Sequence, residues 1–321
     1  MSHQSDSTPP LRIALAGCGH VGGGLLDLLR EQGTPVCVQR VLVRDAQRER
    51  PALTAAIQAG IAPGDACITD PDQLLGDDVD VLVEVIGGTS TARELVESAI
   101  RRGIRVVTAN KALLGERGAA LQADALTARV RLDFEGAVCG AIPIVRCLRY
   151  GAAGVGVSRI TGILNGTSNF VLEQVAAGAA FADAVATAQR LGYAEADPTR
   201  DLNGQDAEDK LRVLAWLAFG VEPAALTVER RGLDDAVGVW ATQVAAEGDR
   251  VKLIATCWRD ASGVHGRIEP TRVDGTEAWA RVAGPSNRIV VESVSAGALI
   301  FEGPGAGGRA TAGAVWSDLV S

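Results

Sequence analysis

The stretch Leu11-Arg12-Ile13-Ala14-Leu15-Ala16-Gly17-Cys18-Gly19-His20-Val21-Gly22 decides the fold. Leu11 to Ala16 reads as a buried strand, Gly17 to Gly22 fits G-x-G-x-x-G, and Val21 to Arg30 has helical spacing. Each glycine in such a turn has its own task. The first permits a tight turn, the second lets backbone approach a pyrophosphate, and the third lets helix and strand pack closely. The helix N-terminus adds unpaired N–H groups and the positive end of a dipole, both suited to an anion. In a chain with 38 glycines the match alone is weak. Flanked by strand and helix, it makes Gly17, Gly19, His20, Val21 and Gly22 candidate cofactor contacts, against the plainer reading of a glycine-rich structural turn.

Outward from this turn, apolar runs alternate with helical patterns, the sign of a parallel α/β sheet. Strands are expected at Val36 to Val43, Val79 to Ile86 and Arg105 to Thr108. Helices are expected at Thr91 to Arg102, closed by Gly103, and at Gly118 to Arg129. The texture changes near Ile142. A β-like run from Val155 to Leu164 leads into a turn-rich Asn165-Gly166-Thr167-Ser168-Asn169, then helices at Phe170 to Ala177 and Ala182 to Leu191. A polar loop from Tyr193 to Asn203 precedes a strong helix, Gly204 to Phe219, and strands follow at Val251 to Trp258, Val264 to Pro270 and Arg288 to Val294. The expected fold class is α/β: a Rossmann-type doubly wound parallel sheet plus a second α/β (α+β) domain. Boundaries are placed at 1–10 for a disordered tail, 11–142 for the first domain and 143–302 for the second.

Composition narrows the function. With 31 basic and 39 acidic residues the chain carries a net charge of −8, which argues against a nucleic-acid partner. A 47% hydrophobic, 22% charged chain is globular. No apolar run is long enough to span a membrane, and the polar N-terminus is not a signal peptide, so a cytoplasmic location is expected. Six cysteines without C-x-x-C spacing read as reduced thiols. Three scattered histidines, His3, His20 and His265, argue against a zinc site or a Ser-His-Asp hydrolase.

Several positions carry candidate chemistry. Arg44, just past the second strand and before Asp45, could meet the 2′-phosphate of NADP or simply stand in solvent. The choice between NAD and NADP stays open, with a lean to NADP. Lys111, in Thr108-Ala109-Asn110-Lys111, follows a parallel strand at the end where such sheets bind ligands. In the helix from Gly204 to Phe219, Gln205, Glu208, Asp209, Arg212 and Trp216 share one arc. Asp206 and Lys210 instead project from the apolar side with Leu211 and Leu214. A surface i, i+4 ion pair is the bland account. A carboxylate and an ammonium turned inward cost free energy unless paired or used, which favours an active-site pair. The carboxylate-rich loop from Gly192 to Asp201 is a candidate for binding an amino group. Thiol chemistry at Cys139 or Cys147 is a minor option, with no histidine near in sequence.

Taken together, these segments resemble the homoserine dehydrogenase family. The resemblance rests on Gly162-Ile163-Leu164-Asn165-Gly166-Thr167-Ser168-Asn169-Phe170, on Leu191-Gly192-Tyr193-Ala194-Glu195-Ala196-Asp197-Pro198 leading through Asp201 to Asp206 and Lys210, on Thr108 to Leu114, and on Gly303-Pro304-Gly305-Ala306-Gly307. It implies NAD(P)-dependent interconversion of L-homoserine and L-aspartate 4-semialdehyde, on the way to threonine and methionine. By likeness Lys210 is the acid/base residue, and Lys111 touches nicotinamide and substrate and shares proton transfer. Asp206 and Glu195 hold substrate, with Asp201 and Gly192 beside them. Arg44, Thr89, Lys111 and Gly303 complete the cofactor contacts. The likeness also implies a monovalent-cation loop, with sodium on oxygens of Glu135, Val138, Gly140 and Ile142. A final segment from about Gly303 (303–321) would return to the cofactor domain, and a homodimer would form through the second sheet. Cys139 stands where relatives often carry Gly or Ala, which leaves carbonyl ligation possible.

A lysine gripped by carboxylates keeps a high pKa, so desolvation must oppose that pull for exchange near neutrality. Homoserine oxidation is therefore expected to favour basic pH. The chain ends at Ser321, shortly after Thr311-Ala312-Gly313-Ala314, so no threonine feedback through a regulatory ACT domain is expected. Without the resemblance, another NAD(P)-dependent dehydrogenase of a small hydroxy or oxo acid stays open. So does an inactive nucleotide-sensing protein, though that would have little reason to keep two costly lysines.

Overall fold

A computed structural model describes residues 9–33, 35–151 and 156–321. The expected tail falls almost wholly outside them, as does Val155. The chain divides into two compact units. The first runs to Asn110 and adds Leu121–Phe134 and Val315–Ser321; the second comprises Lys111–Ala120 and Glu135–Ala314.

In the first unit, β1 (Leu11–Ala16) is followed by α1 (His20–Gln32), β2 (Val36–Leu42), α2 (Pro51–Gln58), β3 (Cys67–Ile68), β4 (Val81–Glu84), α3 (Ser90–Arg101), β5 (Arg105–Thr108), the later part of α4 (Lys111–Ala128), whose residues 111–120 group with the second unit, and β6 (Leu132–Asp133). The six strands lie parallel in the order β3-β2-β1-β4-β5-β6, so the order reverses between β1 and β4. Every residue of β4 is buried, as expected for a strand covered on both faces. Leu25, Leu26 and Leu29 of α1 are buried too, and Gly33 closes that helix at φ 61°, a left-handed cap that glycine accepts without strain.

The second unit continues with α5 (Ile144–Tyr150), β7 (Val157–Ile163), α6 (Gly166–Ala176), α7 (Phe181–Arg190), α8 (Thr199–Leu202), α9 (Gln205–Phe219), β8 (Val228–Arg230), α10 (Asp235–Ala246), β9 (Arg250–Asp260), β10 (Gly263–Val273), β11 (Ser286–Ser293), β12 (Gly297–Pro304) and the start of α11 (Gly308–Val320), whose residues from Val315 group with the first unit. Its mixed sheet has the order β12-β11-β7-β9-β10-β8, antiparallel except where β8 joins β10. Helices α6, α9 and α10 pack against β9.

Four expectations need correction. The segment Asn165–Asn169 is not a turn: α6 begins at Gly166, because Asn165 accepts the Ser168 N–H through Oδ1 at 2.7 Å and caps the helix. Helix α4 starts at Lys111, well before Gly118. The strand expected from Val79 to Ile86 is trimmed to Val81–Glu84, since Val85 and Ile86 turn away into the loop before α3. The loop from Tyr193 to Asn203 contains the single turn α8. As for the closing segment, Gly303 lies within β12 opposite Asn287, and the chain that groups again with the first unit begins at Val315.

Candidate active site

Helix α9 enters through Gly204, whose φ of 82° is left-handed, and leaves through Gly220 at φ 69°. Its outer arc behaves as the bland account requires. Arg212 meets Glu208 at 2.7 Å, and Arg200 meets Asp209 at 2.6 Å. Asp206 and Lys210 do otherwise. Both are buried, with Ala207, Leu211 and Leu214 around them in the same helix.

The Lys210 ammonium donates to Asp206 Oδ2 at 2.7 Å and to the Leu164 carbonyl at 2.8 Å. Lys111, at the first position of α4, reaches the other oxygen of the same carboxylate: Nζ to Oδ1 is 3.0 Å. One aspartate thus joins two lysines from distant parts of the sequence. Burial opposes ionisation of Asp206, but the charges of Lys210 and Lys111, with hydrogen bonds from Lys210 and Asn165, hold it well below the usual carboxylate range. For Lys210, burial works against the ammonium, and Asp206 overcomes it, so its pKa lies above that of an ordinary lysine. The desolvation anticipated from sequence is present, and the ion pair outweighs it.

In the sequence Asn165 is only one member of the Asn-Gly-Thr-Ser signature; the structure gives it a pivotal place. Its Nδ2 donates to Asp206 Oδ2 and to Asp201 Oδ1, both at 2.8 Å, while Oδ1 accepts from Ser168 N at 2.7 Å. An asparagine directly before Gly-Thr-Ser is an N-cap signal that could have located it. Burial and repulsion from Asp206 raise the Asp201 pKa, opposed by Asn165 and the lysines.

Cys139 is fully buried on a left-handed backbone at φ 55°, and burial pushes its thiol up to about 11. That removes the thiolate from consideration at neutral pH.

Other candidates stand apart. Gly192 closes α7 on an exposed, left-handed backbone at φ 75°. Glu195 is exposed, and among the described residues no hydrogen bond or ion pair ties its carboxylate to the lysine pair. Glu135 points both carboxylate oxygens at the start of α5, accepting from Val145 N and Arg146 N at 2.9 Å each. Val138, Gly140 and Ile142 are buried in the turn that follows it. No group of three or more His, Cys, Asp or Glu side chains able to hold a metal occurs among the described residues.

The glycine turn of the first unit fits a dinucleotide. Gly17 has φ +102°, and a Cβ there would sit 2.8 Å from the Val85 carbonyl oxygen. A Cβ on Gly22 would lie 2.0 Å from the Gly17 oxygen, so only glycine lets α1 pack this closely. Nothing lies within 4 Å of where a Cβ would stand on Gly19, so that side of its backbone is open to a pyrophosphate. His20 and Val21 form the first turn of α1. Thr89 occupies the N-cap position of α3 without a side-chain capping bond. Arg44 is exposed just beyond β2, and no hydrogen bond or ion pair engages it among the described residues.

Comparison with known proteins agrees along nearly the whole length. Residues 17–135 match the family described as homoserine dehydrogenase, NAD binding domain, and residues 143–320 match homoserine dehydrogenase. A homoserine dehydrogenase of Corynebacterium glutamicum is 40% identical over 325 residues, covering 96% of this chain and 71% of that protein. The crystal structure of one from Thiobacillus denitrificans superimposes with a TM-score of 0.86 at 37% identity, over 97% of this chain and 72% of that one. A hyperthermophilic archaeal homoserine dehydrogenase in complex with NADPH gives a TM-score of 0.80 at 27% identity, over 97% of both chains.

Proposed function

The chain belongs to the homoserine dehydrogenase family, an NAD(P)-dependent oxidoreductase of amino-acid biosynthesis, and from that premise we propose that Lys210, Asp206 and Lys111 form its reaction centre. The observation that carries this reading is the single buried carboxylate shared by two ammonium groups. Held at the Gly17–Gly22 turn, a nicotinamide dinucleotide would supply hydride for the aldehyde of L-aspartate 4-semialdehyde, or take it from L-homoserine.

The residues do the rest. Reduction builds negative charge on the substrate oxygen, and two lysines against one shared aspartate leave a local excess of positive charge to receive it. Lys210 has two of its three N–H bonds committed, to Asp206 and Leu164, which leaves a third for the substrate oxygen. Its raised pKa keeps it charged at neutrality, ready to give the proton in reduction. In oxidation it must first lose that proton, so the oxidative rate rises with pH. Lys111, with 36% of its side chain exposed, guides the substrate oxygen and shares the transfer. Asp206 is saturated by two lysines and Asn165, so its part is to orient them. The substrate amino group falls to Asp201 and Glu195, beside Gly192.

The uncommitted Arg44 suits the 2′-phosphate of NADP, in keeping with the NADPH complex of the archaeal relative. Thr89 and Gly303 are kept as further cofactor contacts. For a monovalent cation, the Glu135 carboxylate already caps α5, so a sodium ion would rest mainly on the carbonyls of Val138, Gly140 and Ile142. A homodimer through the second sheet accounts for side chains such as Ile300, 56% exposed on β12. Six free cysteines suit a reducing cytoplasm. The deciding experiment is a spectrophotometric assay of homoserine with NADP and with NAD, on wild type and Arg44→Ala. Turnover with NADP, weakened selectively by Arg44→Ala, is expected; no turnover with either cofactor overturns the reading.

A further inference from the structure

The first unit holds a carboxylate that no basic side chain neutralises. Glu84, the last residue of β4, is 0% exposed, and among the described residues it forms no ion pair. Hydrogen-bond donors converge on it instead. Thr108 Oγ1 donates to Oε2 at 2.6 Å, while Ile86 N and Asn110 Nδ2 donate to Oε1 at 3.0 and 3.4 Å. The Thr108 hydroxyl itself accepts from Asn110 N at 3.0 Å, which turns its own proton toward Glu84. A carboxyl met by donors at both oxygens is arranged for the ionised form. Burying such a charge without a cation is costly, and burial does raise the Glu84 pKa.

The position suggests what offsets that cost. In this strand order the pyrophosphate lies at the β1–α1 turn and the adenosine half reaches toward the end of β2. The other half of the dinucleotide therefore extends over the ends of β4 and β5, where Glu84 and Thr108 stand. Between them, Gly87 and Gly88 take φ of 71° and 74°, and nothing lies within 4 Å of where a Cβ would stand on either. Asn110 Nδ2 ties the Gly88 carbonyl at 2.7 Å.

We propose that Glu84 is a positioning residue whose unneutralised charge makes the first unit hold the oxidised, positively charged nicotinamide more tightly than the neutral reduced ring. The proposal rests on the dehydrogenase reading above. When the aldehyde is reduced, a hydrogen nucleus with two electrons leaves the reduced ring. The ring passes from neutral to +1, and the substrate oxygen takes its proton from a lysine. A fixed carboxylate beside the ring favours that change of charge.

The test is direct binding, measured as tryptophan fluorescence quenching by NADP+ and by NADPH on the full chain. In Glu84→Gln the ratio Kd(NADP+)/Kd(NADPH) is expected to rise about tenfold. Tenfold corresponds to about 1.4 kcal/mol. Glu84→Asp keeps the charge and is expected to keep the ratio. Thr108→Val, near-isosteric, strips Oε2 of its donor and is expected to move the ratio the same way by less; it carries the test should Glu84→Gln not fold. Both affinities weakening together, with the ratio unchanged, overturns the proposal. Failure of the wild type to bind either form overturns the dinucleotide reading and the proposal with it.

Discussion

Replacing Asp206 by Asn tests the electrostatics of the centre. The substitution keeps the shape and one acceptor oxygen but removes the charge that two lysines share. At 2.7 Å and an effective dielectric of about 20, the Lys210–Asp206 attraction is about 6 kcal/mol before desolvation is counted. Breaking a buried pair typically costs about 3–5 kcal/mol. Asn retains a hydrogen-bond acceptor, and Lys111 is partly screened by solvent, so we take the lower end, about 3 kcal/mol. That energy is felt mostly by charged Lys210, and at about 1.4 kcal/mol per tenfold it lowers its pKa by about two. The sign follows. Homoserine oxidation needs neutral Lys210, so its rising limb should move about two pH units toward acid in Asp206→Asn. The assay is kcat/KM for homoserine oxidation from about pH 6 to 11, on protein whose circular dichroism matches wild type. A folded variant whose limb stays in place would refute the coupling.

Three further outcomes are expected. Gly22→Ala places a methyl group 2.0 Å from the Gly17 carbonyl oxygen, so the turn must shift; the cofactor Kd should weaken at least about tenfold while far-ultraviolet circular dichroism stays near wild type. Asn165→Ala removes the amide shared by Asp201 and Asp206 and the cap of α6, worth about 1 kcal/mol. The melting point should fall by about 2–4 °C from the cap alone, and kcat/KM should drop with it. Lys252 is buried and donates to Asn169 Oδ1 and the Val282 carbonyl; burial, with Arg250 adding to it against Glu173, lowers its pKa from 10.5 to about 8. Between about pH 8 and 10.5 the unfolded chain holds a proton the folded chain lacks, so this group makes stability rise with pH, by about 3 kcal/mol in all. Buried Cys139 and Cys257, whose thiols burial pushes up, pull the other way above about pH 9, so the readout is the difference between wild type and Lys252→Met: by urea unfolding, the stability of wild type relative to the variant should rise across that window.

Much of this was legible in the sequence, for identifiable reasons. The run from Leu11 to Gly22 carries period, punctuation and chemistry together, and strand, turn and helix appear where they were expected. On α9, Asp206 and Lys210 break an otherwise clean amphipathic pattern, and the structure buries both. What sequence could not show was long-range. Nothing local links Lys111 to Asp206, and the start of α4 at Lys111 was passed over although Asn110, a residue type that favours helix N-caps, stands directly before it. The Asn-Gly-Thr-Ser segment carries turn-forming residues, so their local preference masked a capped and buried helix start at Asn165. Glu84 lies inside the expected strand Val79 to Ile86, and nothing in its local sequence marks it. Only tertiary packing shows that Thr108, Asn110 and Ile86 all turn donors toward it.

Rapid-mixing measurement of hydride transfer in Lys210→Ala, with cofactor affinity determined on the same sample, tests the central claim most directly. The account predicts cofactor binding within about twofold of wild type and a hydride-transfer rate with homoserine reduced by about 10²–10⁴, the range for losing a positioned acid–base group. A variant that binds cofactor and oxidises homoserine at the wild-type rate would contradict it.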